Sequence, residues 1–365
     1  MWEVSKPGGV FVQDGVPETL RPAELSFFSL TERLAQISRQ RDPLERLAAV
    51  IDWEIFQPVL DRVFPAVAPK GPGGRPAYPR LFLCKILVLQ RLDQLSDEAT
   101  QYQILDRLSF QRFLGLNLAD PGPDQNTVRE FREALQKAGA FASLFEVFSS
   151  FLAGQGLLPK EGVIVDASFV EVPRQRNTRE ENARVKTGQT PADWSAKKRA
   201  HKDVDARWTQ KNKQTFYGYK DHLKGNIQTK LIAAAVVTSA SVHDSQAIAG
   251  LVQAGDGVVF GDSAYSGQPV QEKMEAKGVD TVIVQKGGRG RGLNETEKAE
   301  NREISITRAR VEPAFAVMSG PAGRIFLRYI GRARNQAAVQ MTNLCYNLRR
   351  HETILRLDLH PVAAA

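Results

Sequence analysis

The chain has 365 residues, which is long enough for two domains and a buried core. Hydrophobic residues make up 42% and charged residues 25%, as in ordinary soluble globular proteins. The 49 Lys and Arg exceed the 41 Asp and Glu, so a polyanion is the first partner to expect. The cysteines Cys84 and Cys345 lie in apolar segments, which argues against a disulfide framework or a cysteine-rich zinc site. No apolar stretch approaches the ~20 residues of a membrane span and the N-terminus lacks a signal-peptide pattern, so we expect a cytoplasmic protein without a membrane partner.

Residues 1–155 are predicted to form an all-helical domain. The pattern is irregular up to a helix near Leu30, and Asp42 followed by Pro43 marks the start of another helix. The glycines and prolines of residues 71–76 and 120–124 predict loops. Between these loops, helical segments are expected at residues 80–92, 96–108 and 110–116.

The next helix is predicted to begin at Thr127, as its N-cap. Its apolar face carries Val128, Phe131 and Leu135, and its outer face carries the basic residues Arg129, Arg132 and Lys137. Short helices that end in one with a basic face are compatible with a helix-turn-helix reader of DNA. A solvated charged face is the alternative, and these residues leave the two level. In the first interpretation, Arg129 and Arg132 are candidate DNA contacts.

Two apolar runs end in an acid. Residues 163–165 are consecutive and β-branched, which predicts a strand buried on both faces, and Asp166 lies where it ends. Residues 258–260 repeat the pattern before Asp262, and Glu312 lies in a predicted helix further on. One such aspartate would indicate only a turn cap. Because a carboxylate leaving a core needs a cation or a metal ion opposite, the recurrence indicates acids brought together.

Residues 173–213 are basic and almost without apolar periodicity, which predicts a flexible insertion. Trp194 and Trp208 interrupt the charges, and interleaved rings and cations are typical of a nucleic-acid channel. A disordered linker anchored by its tryptophans is the alternative. The channel interpretation makes candidate DNA contacts of Trp208, Lys197, Lys198 and Arg199.

The remaining segments predict an α/β fold with a mixed sheet. Strands are expected at residues 163–170, 215–223, 230–238, 258–260 and 281–284, with the first three as an antiparallel meander. Helices are expected from residue 243 and at residues 268–276, 304–318 and 336–350. Three adjacent strands followed by strand–helix alternation indicate helices on the faces of the sheet.

The three acids suit phosphodiester chemistry. Cleaving a strand and joining its 3′ oxygen elsewhere needs an activated oxygen nucleophile and a stabilised leaving oxygen, and two divalent ions about 3.5–4 Å apart supply both. Mg²⁺ prefers oxygen ligands and keeps several waters, so a few carboxylates suffice. Asp166, Asp262 and Glu312 fit that requirement.

Three blocks contain these acids, at residues 165–168, 261–265 and 308–315. Further blocks lie at residues 217–222, 242–245 and 301–302, and in the helical part at residues 74–76 and 124–131. Together they run in order from about residue 30 to residue 350, and they resemble bacterial DDE transposases of the insertion-sequence-five group.

The resemblance implies an RNase H-like mixed five-stranded sheet flanked by helices in residues 156–352, after the all-helical DNA-binding domain and before a tail at residues 353–365. It implies two Mg²⁺ or Mn²⁺ ions per active site, held by Asp166, Asp262 and Glu312. The implied partners are DNA, as terminal inverted repeats and target, and a second copy in a homodimer or higher oligomer on DNA. The implied location is the bacterial cytoplasm, at the nucleoid.

Further candidate DNA contacts are Arg308, Arg302, Lys220 and His222. Arg308 lies one helical turn before Glu312, so it could pair with that acid or reach a phosphate, and the resemblance favours the phosphate. Lys220 and His222 share a face of the second predicted strand. His222 could touch DNA or serve as an auxiliary ligand, and the alternative is a purely structural role. Residues 243–244 are expected only to start a helix.

The block around the last acid departs from the family pattern. Ser305 and Ser319 stand at its Tyr and Lys positions, and Pro313, in place of a His, should kink the helix by Glu312. The sequence predicts a metal-dependent DNA transposase that cleaves inverted-repeat ends and transfers 3′ hydroxyls into target DNA. The alternative is a catalytically degenerate copy that binds DNA and represses its element.

Overall fold

The computed structural model describes residues 29–65, 77–159, 162–288, 291–319 and 324–361. The chain divides into two compact units, Met1–Pro43 and Leu44–Ala365. The described part of the first unit contains helix α1 (Ser29–Arg39), in which no residue is buried. The expected loop at residues 71–76, with the family block at residues 74–76, lies outside the described residues.

The helical part continues from residue 43 to residue 154. Its elements are α2 (Pro43–Val50), α3 (Gln57–Val63), α4 (Arg80–Leu92), α5 (Asp97–Asp106), α6 (Leu108–Leu114), α7 (Gln125–Lys137) and α8 (Ala140–Gly154). The predicted apolar face of α7 is buried. Its cap is Asp124 and not Thr127, because the Asp124 carboxylate accepts the Thr127 N–H at 2.7 Å.

A mixed sheet follows the helices. Its strands are β1 (Val163–Glu171), β2 (Arg207–Lys211), β3 (Gln214–Asn226), β4 (Ile232–Ser239), β5 (Val258–Gly261), β6 (Asp280–Ile283) and β7 (Ile325–Phe326). Strand β3 is antiparallel to β1 and β4, while β5 is parallel to β1 and β6. The order β4-β3-β1-β5-β6 confirms the predicted RNase H-like sheet, to which β2 and β7 add short strands on β3 and β1.

Helices cover the sheet. One face packs against α11 (Asp244–Leu251) and α12 (Gln268–Glu275), through a core that includes Val165, Ile248 and Met274. After β6 come α13 (Glu295–Arg308), α14 (Glu312–Ser319) and α15 (Arg332–Arg356), the last longer than the predicted 336–350.

Helix α15 joins the helical part to the sheet. It contacts α4 and α8 as well as β4. Asn347 donates to the Ile232 carbonyl at 2.8 Å and accepts the Ile232 N–H at 2.9 Å, while the His351 ring packs edge-on against Phe148 at 5.9 Å. A single core therefore runs from α4 and α8 to the sheet. The boundary at residue 156 between a DNA-binding part and a catalytic part stays a prediction.

The basic insertion forms regular structure, so the prediction of a flexible segment is wrong. It contains α9 (Arg179–Lys186), α10 (Ala196–Ala200) and β2. The buried Glu181 carboxylate accepts the Trp194 indole N–H at 2.7 Å, the Thr178 N–H at 2.9 Å and a hydrogen bond from Lys198. These bonds, with Lys198 foremost, lower the pKa of Glu181 to about 2. One buried acid therefore holds a lysine and a tryptophan of the insertion in place.

Candidate active site

Asp166 and Asp262 lie side by side. Asp262 directly follows β5, but Asp166 lies within β1, which continues to Glu171, so the expectation that the strand ends at Asp166 is wrong. Val163 of β1 is opposite Val259 of parallel β5, and the same register places Asp166 beside Asp262. Asp166 accepts the N–H of Ala167 at 2.8 Å. Asp262 caps a short 3₁₀ turn by accepting the N–H of the second residue after it at 2.7 Å. A backbone N–H therefore holds each carboxylate in a fixed direction.

The Arg308 side chain pairs with Asp166. Arg308 lies in the last turn of α13, and its Nη2 is 3.4 Å from Asp166 Oδ2. Burial raises the pKa of Asp166 and the Asp262 charge adds to the rise, whereas Arg308 and the Ala167 amide act against it. The guanidinium supplies positive charge beside the acid where the sequence predicted a metal ion.

Glu312 is not brought to the two aspartates. Helix α13 ends at Arg308, residues 309–311 break the helix, and α14 begins at Glu312. The expected single kinked helix is therefore wrong, because Pro313 lies in the first turn of a new helix, where a missing N–H has no cost. Glu312 is exposed. Within the described ranges, no three His, Cys, Asp or Glu side chains are grouped to hold a metal ion.

The donor set therefore fits a divalent ion in part. Asp166 and Asp262 offer adjacent, partly buried carboxylate oxygens, which are the ligands that Mg²⁺ and Mn²⁺ prefer. Glu312 does not contribute in this arrangement.

Tyr265 is a site residue that sequence reasoning missed. It is buried, and its hydroxyl has no hydrogen-bond partner among the described residues. Burial raises the pKa of Tyr265 far above its ordinary value, and the charges of Asp244, Asp166 and Asp262 add to the rise, so the hydroxyl stays protonated near these acids. A Cβ on Gly261 would lie 2.9 Å from Tyr265 Cδ2, so glycine permits this packing. The block at residues 261–265 was the available signal.

The expected DNA contacts of Lys220 and His222 are contradicted by their burial. Asp166 is opposite Leu223 in the β1–β3 pair, so Asp166 lies on the other face of the sheet from these two side chains. Their face is covered by α11. Lys220 Nζ donates to Asp244 Oδ1 at 2.8 Å, and burial lowers the pKa of His222 to about 4. Asp244 is therefore a partly buried counterion of Lys220 as well as part of a helix start.

Arg132 was also misplaced on the outer face of α7. Its guanidinium bonds both Asp97 oxygens, with Nη2 to Oδ2 at 2.8 Å, and donates to Gln90 at 3.1 Å. Burial acts to raise the pKa of Asp97, but the bonds from Arg132 and Gln90 outweigh it and the pKa is lowered. Arg132 therefore ties α7 to α4 and α5.

The other predicted DNA contacts lie at the surface. Trp208 is 44% exposed, with its ring 4.8 Å from that of Tyr217. Lys198 is 42% exposed although it pairs with Glu181. The predicted contacts Arg129 on α7, Lys197 and Arg199 on α10, and Arg302 on α13 are also exposed.

Comparisons with known proteins identify the family of the chain. In the described part of the chain, no helix is long and apolar enough to cross a membrane. A piggyBac transposase synaptic complex with hairpin DNA, solved by cryo-EM, has 10% identity and a TM-score of 0.44 over 88% of this chain and 77% of that chain, a likeness too weak to carry an argument. Residues 32–134 match a family described as a transposase domain. Residues 158–348, more than half of the chain, match the family described as the transposase DDE domain. The chain therefore belongs to the transposase DDE domain family.

Proposed function

We propose that this transposase binds the terminal inverted repeats of its own insertion sequence, hydrolyses strands at their ends and transfers the 3′ hydroxyls to target DNA. The observation that carries the proposal is the adjacency of Asp166 and Asp262 on parallel strands inside the matched DDE domain. The chain's net charge of +8 favours a polyanionic substrate.

Asp166 and Asp262 would hold Mg²⁺ or Mn²⁺, two ions per site by the family resemblance. When bound, such ions activate the attacking oxygen and stabilise the leaving oxygen of a phosphodiester. The protein's own groups prepare the site, since Arg308 balances the Asp166 charge and the protonated Tyr265 hydroxyl lies near both acids.

Glu312 completes the acid set in this proposal only after a rearrangement. Residues 309–311 are non-helical and separate α13, which carries Arg308, from α14. A local change in these residues would turn the Glu312 side chain toward the aspartates, while Ala314 and Met318 keep α14 packed in the core. We infer that binding of metal and DNA drives this rearrangement. The metal supplies positive charge and the DNA supplies phosphate contacts, and the isolated chain lacks both.

DNA would be gripped outside the site by exposed groups. Arg129 on α7, Arg302 on α13 and Trp208 on β2 are available to phosphates or bases. On α10, Lys197, Lys198 and Arg199 form an exposed basic turn. We expect a homodimer or higher oligomer on DNA, acting in the bacterial cytoplasm at the nucleoid.

The test is metal-dependent nicking of a DNA fragment that carries the repeat at one end of the element. Asp166→Asn, Asp262→Asn and Glu312→Gln should each abolish nicking and keep end binding, because each removes a negative ligand at constant shape. Asp280→Asn is the matched control, an exposed acid on β6. Nicking within a few fold of wild type by any of the three variants would remove that residue from the site.

A further inference from the structure

A basic cleft of about 650 Å³ lies between helices α4, α5 and α7 and the segment that runs from β7 into α15. Two acids line it, Asp97 and Glu133. Five arginines also line it, Arg91, Arg132, Arg324, Arg328 and Arg334. The site residues Asp166 and Asp262 are not part of its lining, so this is a second concave surface with an excess of positive charge.

Three of these arginines have acidic partners. Arg132 pairs with Asp97, Arg334 lies 3.4 Å from Glu133, and Arg324 lies 3.8 Å from Glu171. The other two, Arg91 and Arg328, form neither a side-chain hydrogen bond nor an ion pair within the described ranges. The cleft therefore holds two unneutralised guanidinium groups.

Of these two arginines, Arg91 gives the stronger evidence for an anionic ligand. Its Nε is buried without a hydrogen-bond partner, and burial lowers the pKa of its guanidinium. Arg91 as a whole is half-buried. A cation whose Nε is buried without a carboxylate partner weakens a fold, so an apolar side chain of similar length should be neutral or stabilising there. An arginine at this position is explained by an anion that enters the cleft, because planar guanidinium groups match phosphate oxygens.

We propose that this arginine cleft binds phosphate groups of a DNA strand, with Arg91 and Arg328 as its ligands. The rings of Tyr329 and the 40% exposed Phe326 line the same cleft and offer surfaces for sugars or bases. Strand β7, which carries Phe326, pairs with β1 at Glu171, five residues beyond Asp166. At about 3.3 Å per residue the pairing point lies about 17 Å from Asp166, roughly five nucleotides of one strand. The cleft proposal rests on the proposed function, because the DNA strand bound in the cleft is the one that is cut at Asp166.

The experiment measures duplex binding by the full chain across salt concentrations for wild type, Arg91→Met, Arg328→Ala and the double variant. Arg62→Met on α3 is the matched control, an exposed arginine outside the cleft. Each cleft variant should lower the slope of log affinity against log salt by about 0.9 for each lost phosphate contact, and affinity at 0.1 M salt about five- to tenfold. Arg91→Met should also unfold at the same or a higher temperature than wild type.

The outcomes separate the candidate ligands. An unchanged slope in the double variant overturns the cleft proposal. Thermal unfolding with inorganic phosphate or dAMP is the second test. If either compound protects wild type but not Arg91→Met while the DNA slope is unchanged, the ligand is a free phosphate and the cleft proposal is wrong. Nicking keeps the two proposals apart. If wild type nicks DNA but the slope is unchanged in the cleft variants, only the cleft proposal is wrong. If the slope changes but wild type does not nick DNA, only the proposed function is wrong.

Discussion

Replacing Asp221 with Asn should stabilise the protein at neutral and alkaline pH. Asp221 lies on β3, fully buried, and faces Asn343 of α15, whose amide is 3.4 Å from Asp221 Oδ1. The other oxygen, Oδ2, has no hydrogen-bond partner among the described residues. Burial raises the pKa of Asp221 to about 7, and the Asn343 hydrogen bond only partly opposes the rise.

The magnitude follows from linkage between ionisation and folding. The folded pKa of about 7 compares with an ordinary value of 3.8. At about 1.4 kcal/mol per pKa unit, ionisation costs about 4 kcal/mol of unfolding free energy. Because the folded pKa is raised, the native state binds more protons than the unfolded chain between these two values. The stability is therefore fully present below the unfolded pKa and is lost as the pH rises through about 7.

Urea unfolding followed by tryptophan fluorescence tests this from pH 5 to pH 9. Wild type should lose about 3 kcal/mol across that interval relative to Asp221→Asn, which cannot ionise. Asp280→Asn serves as the control, because its exposed carboxylate should leave the pH profile of wild type unchanged. Parallel profiles for wild type and Asp221→Asn would refute the reasoning, since they would mean that Asp221 ionises as freely in the fold as in the unfolded chain.

Three further predictions concern the site, the insertion and the core. Arg308→Gln should tighten Mn²⁺ binding by the DNA-free protein about three- to tenfold in calorimetry, because about 1 kcal/mol of repulsion beside Asp166 is removed. Glu181→Ala should speed tryptic cleavage of the insertion and shift Trp194 emission to the red, because the indole loses its buried acceptor. A fragment of residues 1–155 should show no cooperative unfolding by circular dichroism, because α15 is missing from its core.

Matched controls exist for each. Arg310→Gln removes an exposed arginine two residues beyond Arg308 and should leave Mn²⁺ affinity unchanged. Glu180→Ala removes the exposed neighbour of Glu181 and should leave the emission unchanged. A chain that ends at residue 361 keeps α15 and should unfold cooperatively. A 1–155 fragment that melts as sharply as that chain would show that the helical part has a core of its own.

The sheet was predictable because its strands are marked by their own residues. Consecutive β-branched residues before Asp166 and a second apolar run before Asp262 set both position and direction, and the register of β1 with β5 then follows from the fold. These are local patterns, and long-range packing did not override them.

The misplaced residues depend on partners that are distant in sequence. Arg132 has a charged-face position in α7, yet Asp97 of α5 lies opposite and draws it inward. The basic composition of residues 173–213 predicts a flexible segment, but the buried Glu181 binds both Lys198 and Trp194. Sequence periodicity does not show which acid will be buried, because charged residues are normally predicted to be exposed. Pro313 was read as a kink because nothing local distinguishes a kink from the start of a new helix.

The position of α15 has a consequence during protein synthesis. The faces of α4 and α8 that it covers emerge from the ribosome before α15 does, because 177 residues lie between the end of α8 at residue 154 and the start of α15 at residue 332. At about 5–20 residues per second, those apolar faces stay uncovered for roughly 9–35 s. A nascent chain of this transposase therefore exposes those surfaces to chaperones and proteases until α15 has been synthesised, and a chain that terminates before α15 would not cover them.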